Sequence, residues 1–317
     1  MARPTRSHLP AGDAAEADQT SRRATAALLF SSLRPEQWTK NLLVFAGVLF
    51  GRRLLDPVAV VIAAATFVTF CALSGAVYLF NDVADRQTDR EHPLKSLRPI
   101  ASGDLSMRVA LVTAGLLGAA ALAASIVIRP ALGVVSAAYL ILLVLYSTVL
   151  KHVVIVDVLT IAAGFVLRAV AGAVAVALPI SHWLLVCTTL LALFLALSKR
   201  RHELTLLADG ATGHRRILEE YSPYLLDQMV SVVTASTLVA YVSYATSAET
   251  AERLGTNRLG LTIPFVLYGI FRYLYLVHQK RGGGSPAAML LTDRPLLVCV
   301  ALWTACVIVI LYSPLGR

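Results

Sequence analysis

Four oxygen-bearing side chains, Asn81, Asp82, Asp85 and Asp89, stand close together in the chain, and Arg86, Arg90, His92, Lys95 and Arg98 are interleaved with them or follow. On a helix, Asn81, Asp85 and Asp89 recur at i, i+4 and i+8 and line one face over about 12 Å, with Asp82 bordering the stripe. Like charges stacked in this way repel one another. Two compensations are open: Arg86 and Arg90 neutralise a solvated acidic face, or a divalent cation sits among the oxygens. Oxygen donors with an amide among them suit Mg²⁺, which keeps waters and shares its ligation with substrate phosphates. Lys and Arg beside such an ion are how proteins hold a diphosphate leaving group. Asn81, Asp82, Asp85 and Asp89 are therefore candidate metal ligands, and Asp82, Asp85, Asp89, Lys95 and Arg98 candidate catalytic residues. His92, alone before Pro93, reads as structural.

The elements that must carry these residues are apolar. Of 317 residues 57% are hydrophobic and 15% charged, too little polar surface for a soluble domain of this size. Apolar runs near 20 residues, ended by charges, recur at about 39–56, 58–80, 107–128, 131–150, 155–177, 182–198, 224–247, 259–278 and 294–313. Their length matches a hydrocarbon core of roughly 30 Å, and no alternation suggests a β-barrel. The expectation is an all-α polytopic membrane protein with about nine transmembrane helices. Residues 1–30 are expected to form a flexible tail and 31–317 a single transmembrane catalytic domain. Cys71, Cys187, Cys299 and Cys306 lie in apolar runs without paired spacing and read as small core hydrophobes.

Nine spans sort the charges. The tail, the loop after the second span and the later loops on the same side hold 20 Lys and Arg residues, against 6 on the other side. That asymmetry places the acidic loop in the cytoplasm and the chain in the plasma (cell inner) membrane. The net charge of +9 is explained by this topology, and no nucleic-acid partner is expected. Arg168 and Arg272 remain inside spans. Arg168 is deep enough to need a wet cavity or a partner, which makes it a candidate site residue. Arg272 divides evenly between a snorkelling anchor and a site residue. Lys40 and Asn41 begin the first span, beside Trp38 as an interfacial anchor.

The stretch "NDVADRQTDREHPLKSLRPIASG" resembles the first aspartate-rich motif of the UbiA superfamily of intramembrane prenyltransferases, and the resemblance runs from "RPEQWTKN" at 34–41 to "LLTDRP" at 290–295. It implies a nine-helix bundle around a cytoplasm-facing cavity that binds Mg²⁺-diphosphate. Aromatic prenyltransferases of the superfamily carry a second aspartate-rich motif after the sixth span. Between 199 and 228 this chain has none and offers Lys199, Arg200 and Glu203 instead. "RPEQWTKNLLVFAGVLF", "GFVLRAVAGA" and "SKRRHEL" resemble a branch that moves 5-phosphoribose from phosphoribosyl pyrophosphate (PRPP) to a polyprenyl phosphate. In such a branch one metal-diphosphate site suffices, and the other polar positions are basic to take monophosphates. Lys40, Asn41, Arg86, Tyr146, Arg168, Lys199, Arg200, Glu203 and Tyr221 are the candidate substrate-binding residues, and Arg201 reads as a charged flank. The competing readings are transfer of a polyprenyl group from its diphosphate to an aromatic or other small acceptor, and a transporter that uses the acidic patch for ions. The oligomeric state is open, a homo-oligomer included.

Overall fold

Polar caps set the ends of the long apolar helices. Asp56 precedes Pro57 and accepts from the backbone N–H of Val58 and Ala59 at 3.0 and 3.2 Å, which starts α3 (Pro57–Ala84). Arg53 beside it holds the Asp56 carboxyl below its ordinary range. Ser106, Ser222 and Asp293 cap α6 (Met107–Ile128), α10 (Pro223–Thr246) and α14 (Arg294–Tyr312) in the same way. The computed structural model describes residues 25–208, 220–280 and 284–313.

Between these lie α7 (Pro130–Thr148), α8 (Val156–Ala175), α9 (His182–Ala208) and α12 (Ile263–Gln279). Eight of the helices are long and apolar enough to cross a membrane, and no strand occurs among the described residues. Shorter elements join them: α1 (25–32), α2 (Ala46–Phe50), α4 (Arg86–Glu91), α5 (Pro99–Ser102), α11 (Ala248–Leu254) and α13 (Pro286–Thr292). The expected flexible tail lies outside the described residues up to 24. From 25 the chain is helical, with Leu29 and Leu33 packed on Leu79, Ile100 and Leu105.

The expected first span is not a long α-helix. An 11-residue 3₁₀ helix, Pro35–Phe45, leads into α2. At rises of about 2.0 and 1.5 Å per residue the two pieces extend about 30 Å, enough for a hydrocarbon core. They run the length of the bundle. Arg34 at one end pairs with Asp82 near the end of α3, while at the other end Arg52 donates to Leu254 O and the Leu54 N–H to the Tyr312 hydroxyl. Among the described residues the crossing elements are thus eight long helices and this segment. Small residues let it approach α8 backbone to backbone: a Cβ on Gly172 would stand 1.9 Å from Val44 O, and one on Gly47 2.9 Å from Ala173 N.

Candidate active site

The end of α3 and the loop after it build an acidic, cation-filled corner. α3 stops at Ala84, Asp85 caps it, and α4 resumes at once, so Asp85 N–H still bonds Asn81 O and Asp89 N–H bonds Asp85 O, both at 2.8 Å. The expected i, i+4 neighbours do meet, Asn81 Nδ2 donating to Asp85 Oδ2 at 3.0 Å. The four side chains do not share one stripe, however. Asp82 and Asp89 are both buried and joined by Arg98, whose Nη1 donates to Asp82 Oδ1 at 3.1 Å and to Asp89 Oδ2 at 2.6 Å. Arg34 also pairs with Asp82, Lys151 with Asp85, and Lys95 Nζ lies 4.0 Å from Asp89.

Among the described residues Arg86 and Arg90 make no ion pair with these carboxylates, and Arg86 is not on the wall of the adjoining cavity. Arg86 Nε donates to Ile100 O at 3.1 Å and Arg90 Nε to Ala101 O at 2.9 Å. They hold the Arg98-Pro-Ile-Ala-Ser-Gly stretch against the bundle, with Ile100 fully buried. Gly103, at φ 98°, makes the left-handed reversal into α6 that a side chain would resist. This explains why a short, non-polar-looking motif accompanies the carboxylates: it aims Arg98. His92 is structural as expected, its Nδ1 accepting from Leu94 and Lys95 N–H.

Next to this corner opens a cavity of about 1760 Å³. Of the residues expected to bind ligand, Lys40, Asn81, Asp82, Arg98, Tyr146, Arg168 and Lys199 line it, and below them the wall turns apolar and aromatic with Phe50, Trp183, Tyr244 and Trp303. Asp85, Asp89 and Lys95 stand behind the wall on the same corner.

Four others of the expected substrate ligands are tied into the framework by hydrogen bonds and ion pairs. Asn41 is fully buried between α3 and α8, its Oδ1 accepting from Arg168 Nε at 2.7 Å and its Nδ2 donating to Cys71 Sγ at 3.3 Å. Arg200 is 2% exposed and donates to Asp157 Oδ2 at 2.7 Å, to Glu203 and to the Tyr146 hydroxyl at 3.2 Å. Tyr221 is buried and donates to Asp157 Oδ1 at 3.0 Å while accepting from Ile155 N–H at 2.7 Å. Burial pushes its hydroxyl up to about 12, so it stays a donor. That pair of bonds holds Ile155 at φ 68°, a left-handed conformation unusual for a β-branched residue, at the start of α8. Glu203 is tied to Arg200, with Lys199 Nζ 3.8 Å away. Arg201 is paired with Asp227.

Arg272 resolves toward an anchor, donating to both carboxylate oxygens of Asp293 at 3.1 and 2.8 Å. The four cysteines are free, as expected.

Sequence reading missed Arg34, Lys151, Asp157 and Tyr139. Arg34 and Lys151 had counted only toward topology, yet Lys151 is 5% exposed. Arg34 adopts φ 55° before Pro35 and stacks on Tyr78 with its guanidinium carbon 4.9 Å from the ring centre. For Asp157 a signal existed: it is a lone acid at the edge of a long apolar run, which the cost of an intramembrane charge marks for a partner.

Among the described residues no three His, Cys, Asp or Glu side chains gather closely enough for an all-protein metal cage. The corner does fit Mg²⁺ held by one or two carboxylates and completed by phosphate oxygens. Asn81 and Asp82 stand on the cavity wall, and Asp85, which accepts from Asn81 Nδ2, lies directly behind Asn81.

Comparison with known proteins agrees with this architecture. Residues 41–292 match the UbiA prenyltransferase family. The chain is 35% identical over 288 residues to the decaprenyl-phosphate phosphoribosyltransferase of Mycolicibacterium smegmatis, covering 87% of this chain and 89% of that protein. It is 32% identical over 295 residues to the protein of the same name from Corynebacterium glutamicum, covering 90% and 86%. Among solved structures, the fold is similar to a UbiA homolog from Archaeoglobus fulgidus bound to GPP and Mg²⁺, with a TM-score of 0.68, 20% identity and 88% and 98% of the two chains covered.

Proposed function

The chain belongs to the UbiA prenyltransferase family, and from that premise we propose that it transfers 5-phosphoribose from PRPP to a polyprenyl phosphate, releasing pyrophosphate. The observation that carries this reading is the contrast between the two sides of the cavity mouth. One side gathers Asp82, Asp85 and Asp89, while the rest of the wall offers Lys40, Arg168 and Lys199, and among the described residues no second carboxylate cluster lines it. One metal-diphosphate corner facing a basic wall suits a donor that carries the diphosphate and an acceptor that carries a monophosphate. The relatives named decaprenyl-phosphate phosphoribosyltransferase support the same choice.

Asn81 and Asp82, with Asp85 and Asp89 behind them, would hold Mg²⁺ on the PRPP diphosphate. The ion supplies charge neutralisation to the leaving group and fixes the donor. Arg98 and Lys95 donate to pyrophosphate oxygens as the C1–O bond breaks and C1 takes on oxocarbenium character. A lipid phosphate oxygen then attacks C1. That oxygen is already anionic at neutral pH, so no general base is required, and positioning and leaving-group stabilisation carry the rate. The cytoplasmic face of the plasma membrane, where PRPP is soluble, suits the charge asymmetry of the loops. The cell-wall polysaccharide precursors that such a product would feed, arabinan among them, belong to this same reading.

The test is direct. Purified protein in detergent, given Mg²⁺, a short polyprenyl phosphate and radiolabelled PRPP, moves label into the organic phase, and EDTA abolishes it. Consumption of a prenyl diphosphate with an aromatic acceptor, with PRPP inert, would assign the prenyl-transfer reading instead.

A further inference from the structure

Among the described residues two arginines are buried, Arg168 and Arg200, and the bundle treats them in opposite ways. Arg200 is answered by two carboxylates, Asp157 and Glu203. Among the described residues Arg168 is answered by neutral groups: Asn41 Oδ1 at 2.7 Å, the Tyr139 hydroxyl at 2.6 Å, Gly164 O at 2.9 Å, and the Phe165 ring, whose centre lies 5.2 Å from its guanidinium carbon. A guanidinium has five N–H groups. These bonds use three, and Arg168 lies on the cavity wall.

Lys40, next in the chain to Asn41, lines the same cavity. Arg34, Glu36 and Lys199 line that cavity as well. Among the described residues no carboxylate comes within ion-pair distance of Lys40 or Arg168, whereas Arg34 has Asp82 and Lys199 has Glu203 nearby. Two cations left unanswered in an apolar bundle are costly unless an anion joins them. Their combined charge matches a phosphate monoester dianion.

We propose that Lys40 and Arg168 form a phosphate-monoester subsite distinct from the diphosphate corner, and that Asn41 is the positioning residue that fixes Arg168 without neutralising it. The inference rests on the transfer reaction above, which brings two such groups to the site, the lipid phosphate of the acceptor and the 5-phosphate of the donor. An aspartate at position 41 would hold the same hydrogen bond but spend the charge. An amide holds the guanidinium and leaves its charge for a ligand.

The experiment measures binding to the full chain in detergent for three probes: a short polyprenyl phosphate, Mg²⁺-PRPP and Mg²⁺-pyrophosphate. Asn41→Asp and Lys40→Met are compared with the unaltered protein; among the described residues no hydrogen-bond partner of Lys40 would be orphaned by its loss, so its variant keeps the fold if Asn41→Asp does not. Both substitutions are expected to weaken one monoester ligand by about tenfold or more, with pyrophosphate binding unchanged. Loss confined to the polyprenyl phosphate assigns the subsite to the acceptor, and loss confined to PRPP assigns it to the 5-phosphate. Folded variants that bind both as the unaltered chain does, or that lose pyrophosphate equally, overturn the proposal. If the unaltered protein binds neither monoester ligand, the transfer reaction itself fails, and the subsite with it.

Discussion

Arg98 Nη1 lies 2.6 Å from Asp89 Oδ2 and 3.1 Å from Asp82 Oδ1, so one nitrogen ties together two buried carboxylates from α3 and α4. The motif loop is thereby locked to the helix end that it completes. A lysine at 98 would keep the charge but has one donor nitrogen, and so would lose the guanidinium nitrogens beyond Nη1 that a pyrophosphate can use. Arg98→Lys is expected to lower kcat/KM for PRPP by about 10- to 100-fold, the worth of one to two charge-assisted bonds. Steady-state kinetics with PRPP as the varied substrate checks this, with the unfolding temperature as the control.

Asp85 is the carboxylate shared between Asn81 and Lys151. Asp85→Asn keeps a hydrogen-bonding side chain of the same shape and removes a charge that would meet the metal. Activity is expected to fall by about 100-fold or more, with the Mg²⁺ concentration for half-maximal rate shifted upward. A variant with unaltered Mg²⁺ dependence would remove Asp85 from the metal site.

Lys151 and Asp85 form a pair in which the lysine is nearly inaccessible and the acid is 22% exposed. Lys151→Met strands the Asp85 charge. Its partial exposure brings the cost below the roughly 3–5 kcal/mol of a fully buried pair, to about 1–3 kcal/mol. The double variant Lys151→Met/Asp85→Asn should recover most of that stability, and a double-mutant cycle of thermal unfolding in detergent measures it.

Asp157 holds Arg200 and Tyr221 together with no exposure of its own. Asp157→Asn leaves Arg200 with Glu203 as its one carboxylate partner among the described residues, beside the Tyr146 hydroxyl, and is expected to cost about 3 kcal/mol in stability. PRPP affinity should change little, because none of the three side chains lines the cavity. A large PRPP defect at unchanged stability would move this cluster into the substrate site.

Gly172 tests the first crossing segment. An alanine there would place its Cβ 1.9 Å from Val44 O, and backbone on both sides leaves little room to yield. Gly172→Ala is expected to lower the unfolding temperature by several degrees, as the roughly 1–3 kcal/mol of an overpacked site implies. An unchanged value would mean that the segment packs on α8 less closely.

The spans and the acidic corner were legible because residue type alone carries their signal. A run of apolar residues must cross, and carboxylates at helical spacing need a cation. The form of the first segment was not legible, since apolar composition is the same for a 3₁₀ and an α helix. Nor were the partners of the carboxylates. Arg34 and Lys151 reach Asp82 and Asp85 from distant parts of the chain, and nothing local distinguishes them from topology-setting charges. Arg200 and Arg201 make the point within one turn. About 100° of helical rotation separates them, and it sends one to buried Asp157 and the other to Asp227 at the surface.

The measurement closest to the central claim gives the purified protein both donors at once, Mg²⁺-PRPP and a prenyl diphosphate, with a polyprenyl phosphate and an aromatic acid as competing acceptors. Products are resolved by mass. The account predicts a polyprenyl-phosphate product heavier by one phosphoribosyl unit, formed with one pyrophosphate released per transfer and absent from the Asp85→Asn variant. A prenylated aromatic product with PRPP untouched would contradict it.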